Sequence, residues 1–326
     1  MGGHAQGNCQ PVIKADLIGH SEPSSTVNPQ RLNTSMTSTS ASASVVSDGL
    51  PSLAIANRLA TARIYLHGGH VAQWRPAGHG EVLWMSARSL HVPDKPLRGG
   101  IPVCFPWFGP HPERPELPAH GFARQRAWAL DTVTDLDDGS TRAVLALVSD
   151  AASRAQWPHD AAVTLTVTVG STLNVELAIA NRDPAPLVCE AALHTYFSVG
   201  DIRRTTVEGL AGTPYLDKVG GVARRIEGSA PIAFSGETDR VYLGTTATAT
   251  IVDPLLARRI TIAKRGSRST VVWNPWIAKA AKMADFGDHE WPGMLCVETA
   301  NAADDRMTIA PGAIERMALD VSVTHA

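Results

Sequence analysis

Residues 97–122 read LRGGIPVCFPWFGPHPERPELPAHGF and run on into Ala123 and Arg124. Two arginines, two histidines, paired glycines and six prolines share this stretch, which is too broken for a long helix or a central strand. Arg98 stands beside Gly99 and Gly100, a cation next to backbone that a ligand can approach closely. His120, Gly121 and Arg124 form a second polar cluster further on. Arginines on such a scaffold point to an anionic ligand held by forked hydrogen bonds, although an ordinary surface loop with solvated charges has the same composition. Three other segments carry chemical groups. His194 sits inside the apolar run Ala192-Leu193-His194-Thr195-Tyr196-Phe197, either as a core histidine with one satisfied nitrogen or as a functional imidazole. Asp239 lies in Glu237-Thr238-Asp239-Arg240-Val241-Tyr242, where the plain alternative is a turn aspartate bonded to its own backbone. Glu298 ends the apolar strand Leu295-Cys296-Val297-Glu298; a carboxylate there either points to solvent or is buried with a partner or a task.

Strands must position these groups. From Leu53 onward the pattern is β. Residues 62–66 and 71–74 flank His67-Gly68-Gly69-His70 as a hairpin, and residues 81–85 follow a Gly-rich turn. Residues 163–169 alternate apolar and hydroxyl side chains and turn through Gly170-Ser171-Thr172 into residues 173–179, a half-exposed antiparallel pair. Further strands are expected at 143–148, 247–252, 259–263 and 317–323, and one short helix at 277–283. Strands at short spacing with turn residues between them argue for an all-β sandwich, and no fixed-period repeat is visible.

Composition bounds the rest. The 326 residues are 44% hydrophobic, enough for a large core, and a sandwich of this size can be a single domain. A net charge of -2 gives no basic field for nucleic acid or an anionic membrane. Cys9, Cys104, Cys189 and Cys296 are scattered without a C-x-x-C pair, as expected of reduced thiols in a cytoplasmic protein. Neither a run of about 18 apolar residues nor a secretory leader pattern is present. Residues 1–48 are rich in Ser, Thr, Asn and Pro and read as a disordered tail ahead of one domain at 49–326; Met36 offers an alternative start within it. His67, His70 and His79 are close in sequence, but glycines make their segment a turn and no cysteine or carboxylate completes a zinc spacing, so no metal is expected.

LRGGIPVCFPWFGP, PAHGFAR, ALHTYFSVGDI, TDRVY and MLCVETAN occur in the order found in the hexose-6-phosphate mutarotases, the glucose-6-phosphate 1-epimerases of the aldose 1-epimerase superfamily. The resemblance spans roughly residues 50 to 325; each piece is weak alone, and five in register are specific. It implies a galactose-mutarotase-like antiparallel β-supersandwich. It also implies exchange of the α and β anomers of glucose 6-phosphate and related hexose 6-phosphates without a cofactor, by a monomer whose partner is a small sugar phosphate. His194 and Glu298 match the family's general acid and general base, and Arg98, His120, Arg124 and Asp239 match its substrate-binding positions. Some relatives carry Gln before the His-Gly pair where this chain has Ala119, so one substrate hydrogen bond is expected to be missing or supplied from elsewhere. An epimerase for free hexoses and a non-catalytic carbohydrate-binding module are the alternatives; the presence of both His194 and Glu298 favours an enzyme, because binding alone needs no acid–base pair.

Overall fold

Alternation at 163–169 yields the strand Ala161–Val169, buried and half-buried by turns along its whole length, and the next strand, Leu173–Asn181, repeats the pattern. The two pair antiparallel through nine residues each, since every second side chain can enter the core while its neighbour faces solvent. The computed structural model describes residues 42–46 and 49–326. Among them, Ala161–Val169 and Leu173–Asn181 lie in a nine-stranded antiparallel sheet that also holds Thr141–Val148, Ala249–Asp253, Arg258–Arg265 and Ile314–His325. These take up the strands expected near 143, 247, 259 and 317.

An eight-stranded sheet carries the chemistry. Across it the order is Ala223–Ile226, Pro214–Asp217, Thr238–Tyr242, Ser269–Asn274, Met294–Asn301, Ala191–Leu193 and Val103–Cys104, with Tyr196–Ser198 also pairing to Met294–Asn301. The strands Ser269–Asn274 and Met294–Asn301 are buried at every position, as expected when both faces of a sheet are covered. One hydrophobic cluster draws side chains from both large sheets, including Leu165, Val167, Val175, Leu319, Val272, Leu295 and Val297. A four-stranded sheet precedes them, in the order Ser42–Val46, Ser52–Ala56, Ala60–Tyr65 and His70–Pro76; its last two strands are the hairpin expected around residues 62–74. The helix at Trp276–Ala280 is shorter than the expected 277–283.

Two expectations are corrected. Residues 81–85 form no ladder: the backbone here bonds to three segments in turn, with the Val82 N–H donating to the Trp74 oxygen, Leu83 bridging to Phe197 and Met85 to Gly99. Part of the expected tail is also structured, because Ser42–Val46 is an edge strand against Ser52–Ala56. Its side chains are mostly exposed, so backbone hydrogen bonds rather than apolar burial hold it, and a composition argument cannot see them. The remainder of the expected tail, Met36 and Cys9 included, lies outside the described residues. Cys104, Cys189 and Cys296 are free and buried. No helix among the described residues is long and apolar enough to cross a membrane.

Candidate active site

His194 and Glu298 meet because of strand register. Leu193 pairs with Thr299 and Tyr196 with Cys296, so one unbroken register runs along Met294–Asn301 and sets His194 opposite Glu298. Directly opposed residues in an antiparallel pair project to the same face with Cβ atoms about 5 Å apart. Nε2 of His194 accordingly lies 3.4 Å from Oε1 of Glu298, and both residues are buried. Among the described residues, Nδ1 of His194 and Oε2 of Glu298 have no hydrogen-bond partner, which is costly for buried polar atoms and fits groups kept free for a ligand.

Period two along the strands sets the rest of the floor. Glu298 pairs with Val271, Cys296 with Trp273, and Trp273 with Asp239, which puts all of these side chains on the face that carries His194 and Tyr196. Except for Cys296, which is fully buried beneath, they line a cleft of about 300 Å³, together with Arg98, Phe108, Ala119, His120, Arg124, Lys218 and Lys279. All six residues singled out in the sequence therefore border one cavity, and it is of a size that takes a small ligand.

The broken segment 97–122 forms the cleft's wall, and glycine makes it possible. Gly99 has φ +116°, and a Cβ there would lie 2.3 Å from the Trp84 carbonyl oxygen; at Gly121, φ +72°, the same atom would lie 2.0 Å from the Phe105 oxygen. The chain can pass so close to these backbones only without a side chain. His120 itself holds φ +65°, a conformation uncommon outside glycine and frequent at functional sites. Its main chain donates to the Gly109 oxygen, and its Nδ1 accepts from the Gly109 N–H at 3.3 Å. The ring proton is thereby assigned to Nε2.

Arg98 is already engaged. Nε and Nη2 contact Oδ2 of Asp285 at 3.2 and 3.1 Å, and Nη1 donates to the Tyr196 hydroxyl at 2.9 Å. Burial works against its charge, but Tyr196 and Asp285 outweigh it and raise its pKa. Nε and one Nη1 proton are thus spent in hydrogen bonds and Nη2 faces the Asp285 carboxylate, which leaves part of the five-donor guanidinium for a ligand. Arg124 donates from Nη2 to the Ala119 carbonyl at 2.7 Å, while its Nε is unpartnered. Position 119 thus contributes through its main chain, and its methyl group supplies no hydrogen bond. Asp239 lies 3.7 Å from Lys279 Nζ, which also reaches Glu237 at 3.0 Å.

The electrostatics push the central pair toward neutrality. Burial drives His194 well below the usual histidine range, helped by Arg124 and Arg98. Burial, with the Asp239 charge, drives Glu298 well above the usual carboxylate range, against Lys218 and Arg124. His120 is also pushed down, by burial first and then by Arg124, His194, Lys218 and Arg98. A neutral imidazole beside a protonated carboxyl is a pair sharing one proton, poised for acid–base work.

The histidines weighed for a metal do not gather into a site. His67 Nε2 contacts the Lys95 oxygen at 2.7 Å, and His79 stacks on His325. Donor atoms of His194, Cys296 and Glu298 do lie within 4.8 Å of one another, and burial holds the Cys296 thiol protonated.

Residues 51–321 match the aldose 1-epimerase family. The chain belongs to that family. It is 38% identical to a candidate glucose-6-phosphate 1-epimerase of Cenchrus ciliaris over 259 residues, 77% of this chain and 78% of that one. It is 36% identical to another from Salmonella typhimurium, over 78% of this chain and 84% of that one. A crystal structure of a candidate mutarotase from Salmonella typhimurium superposes with TM-score 0.81 at 33% identity, covering 87% and 94% of the two chains. A galactose mutarotase related enzyme from Lactobacillus acidophilus, at 14% identity and TM-score 0.68 over 84% and 97% of the chains, shares the fold. As an aldose 1-epimerase family member the chain has the expected β-supersandwich.

Tyr196, Trp273, Lys218, Lys279 and Asp285 escaped sequence reasoning. Tyr196 was findable, since it stands two residues from His194 and so shares its face. Lys218 and Asp285 carry no local signal, and tertiary structure alone brings them to the cleft or to the arginine that lines it.

Proposed function

We propose that the protein interconverts the α and β anomers of glucose 6-phosphate and related hexose 6-phosphates, with His194 and Glu298 as the acid–base pair. The observation that carries this reading is the 3.4 Å contact of two buried, oppositely shifted groups at the floor of a cation-lined cleft. The proton moves from Glu298 to His194 when a cyclic sugar occupies the cleft. Glu298 then takes the proton of the anomeric O1 hydroxyl as His194 gives its own to the ring O5. The O5–C1 bond breaks and the open aldehyde forms. This returns the pair to neutral imidazole and protonated carboxyl, the form that burial favours. Rotation about C1–C2 presents the other aldehyde face, and ring closure reverses both transfers. Asp239 and His120 orient sugar hydroxyls. Arg124 and the free donors of Arg98 face the phosphate, which carries about -1.5 to -2 charges near neutral pH.

We propose further that residues 49–326, with the edge strand Ser42–Val46, act as one domain and that the protein works as a cytoplasmic monomer; the three buried free thiols among the described residues suit a reducing compartment. Anomer exchange followed by saturation-transfer NMR, with glucose and glucose 6-phosphate side by side, tests the activity. Faster exchange of the phosphate ester supports the reading. Exchange of glucose alone would make the protein a free-sugar epimerase, and exchange of neither would leave a binding module.

A further inference from the structure

Four cations line the cleft, and they are not equivalent. Arg98 is matched by Asp285, and Lys279 by Glu237 and Asp239. Among the described residues no carboxylate lies within ion-pair distance of Arg124 or Lys218. The two unmatched charges suit a phosphate dianion, whereas a matched cation has most of its field cancelled locally.

Lys218 reaches the cleft through strand register. Asp217 pairs with Arg240, and the next backbone bond runs from the Lys218 N–H to the Asp239 oxygen at 2.8 Å, so Lys218 stands opposite Asp239. Its side chain emerges on the cleft face, and Nζ sits 5.4 Å from the centre of the Phe108 ring, which in turn packs edge-on against His120. This cation–π contact with Phe108 holds the ammonium in place at the cleft. Three strand spacings of about 4.8 Å and a two-residue offset along the strand separate Lys218 from Glu298, roughly 16 Å of backbone distance. Both side chains point into the space between, which a hexose bridges with its anomeric carbon at Glu298 and its C6 substituent toward Lys218.

We propose that Lys218 is a specificity-determining residue that binds the phosphate of the substrate and sets the preference for phosphorylated over free hexose. The inference rests on the hexose-6-phosphate reading above. Arg124 shares the phosphate with it, and Arg98, held by Asp285, positions Tyr196 and contributes less to the discrimination.

Lys218→Met and Lys218→Arg test this, assayed for anomer exchange on glucose 6-phosphate and on glucose in the same preparation. The ratio of the two KM values does not depend on the fraction of folded enzyme. Lys218→Met is expected to raise the ratio of KM for glucose 6-phosphate to KM for glucose about tenfold or more, the scale of a lost charge-assisted hydrogen bond. Inhibition by inorganic phosphate should weaken in parallel, and Lys218→Arg should restore most of both. An unchanged ratio, or phosphate inhibition that persists in Lys218→Met, overturns the assignment. Failure of the parent reading shows separately, as a wild-type enzyme that does not exchange glucose 6-phosphate at all.

Discussion

Replacing Glu298 by Gln keeps the shape of the side chain and removes its ability to take a proton. If Glu298 is the base, exchange of glucose 6-phosphate should fall about 10²- to 10⁴-fold, roughly 3–5 kcal/mol of barrier. The same substitution has an opposite effect on stability. Glu298 is buried, and its folded-state pKa lies well above the ordinary 4.5, so the unfolded chain releases this proton more readily than the native one. Its contribution to stability is therefore complete below pH 4.5 and is lost as pH rises through the elevated value. Each unit of elevation within the titrated range corresponds to about 1.4 kcal/mol. Glutamine carries no such penalty. Melting curves across pH should show Glu298→Gln more stable than wild type at about pH 8, by roughly 2 °C or more, with the gap closing on acidification. Saturation-transfer NMR on the same samples gives the rate. Near-normal exchange would remove Glu298 from the role of base. A variant less stable than wild type at alkaline pH would refute the electrostatic argument, because it would show that the carboxylate is held charged by partners rather than penalised by burial.

His194→Asn should lower exchange at least about 100-fold; a fall in melting temperature with normal specific activity would instead make His194 a core residue. Gly121→Ala should destabilise by about 2–4 kcal/mol, since the positive φ and a Cβ set 2.0 Å from the Phe105 oxygen must both be relieved, and an unchanged thermal melt would contradict the close approach. Acid stability should fall as pH drops from 6.5 toward 3, because burial, with the nearby His67, His91 and Arg124, pushes His70 down to about 3 and unfolding lets it take a proton. His70→Gln should flatten that limb of a pH-dependent denaturation series, and identical limbs would rule His70 out as a contributor.

Much of the site could be read from residue types in local order. His194 in an apolar run, Glu298 in an apolar strand (read as its end, although Met294–Asn301 runs three residues beyond it), and Arg98 and Gly121 in a segment unfit for regular structure all mark positions where burial or backbone freedom conflicts with simple packing. The conflict is local, so the sequence displays it. Alternation did the same for Ala161–Val169 and Leu173–Asn181, whose two-residue period follows from one wet and one dry face. Residues 81–85 and Ser42–Val46 were misread because their structure is a matter of which backbone groups they bond, and side-chain pattern carries little record of that. Register decided the remainder. His194 stands opposite Glu298, and Lys218 opposite Asp239, through pairings between strands distant in the chain. A shift of one residue would turn Glu298 to the other face of the sheet. The sequence by itself determined that an imidazole, a carboxylate and several cations were available on a β scaffold. Only the tertiary structure decided that they share one cleft, that Asp285 claims Arg98, and that Lys218 meets no carboxylate among the described residues, because ion pairing and burial depend on distances that chain order does not encode.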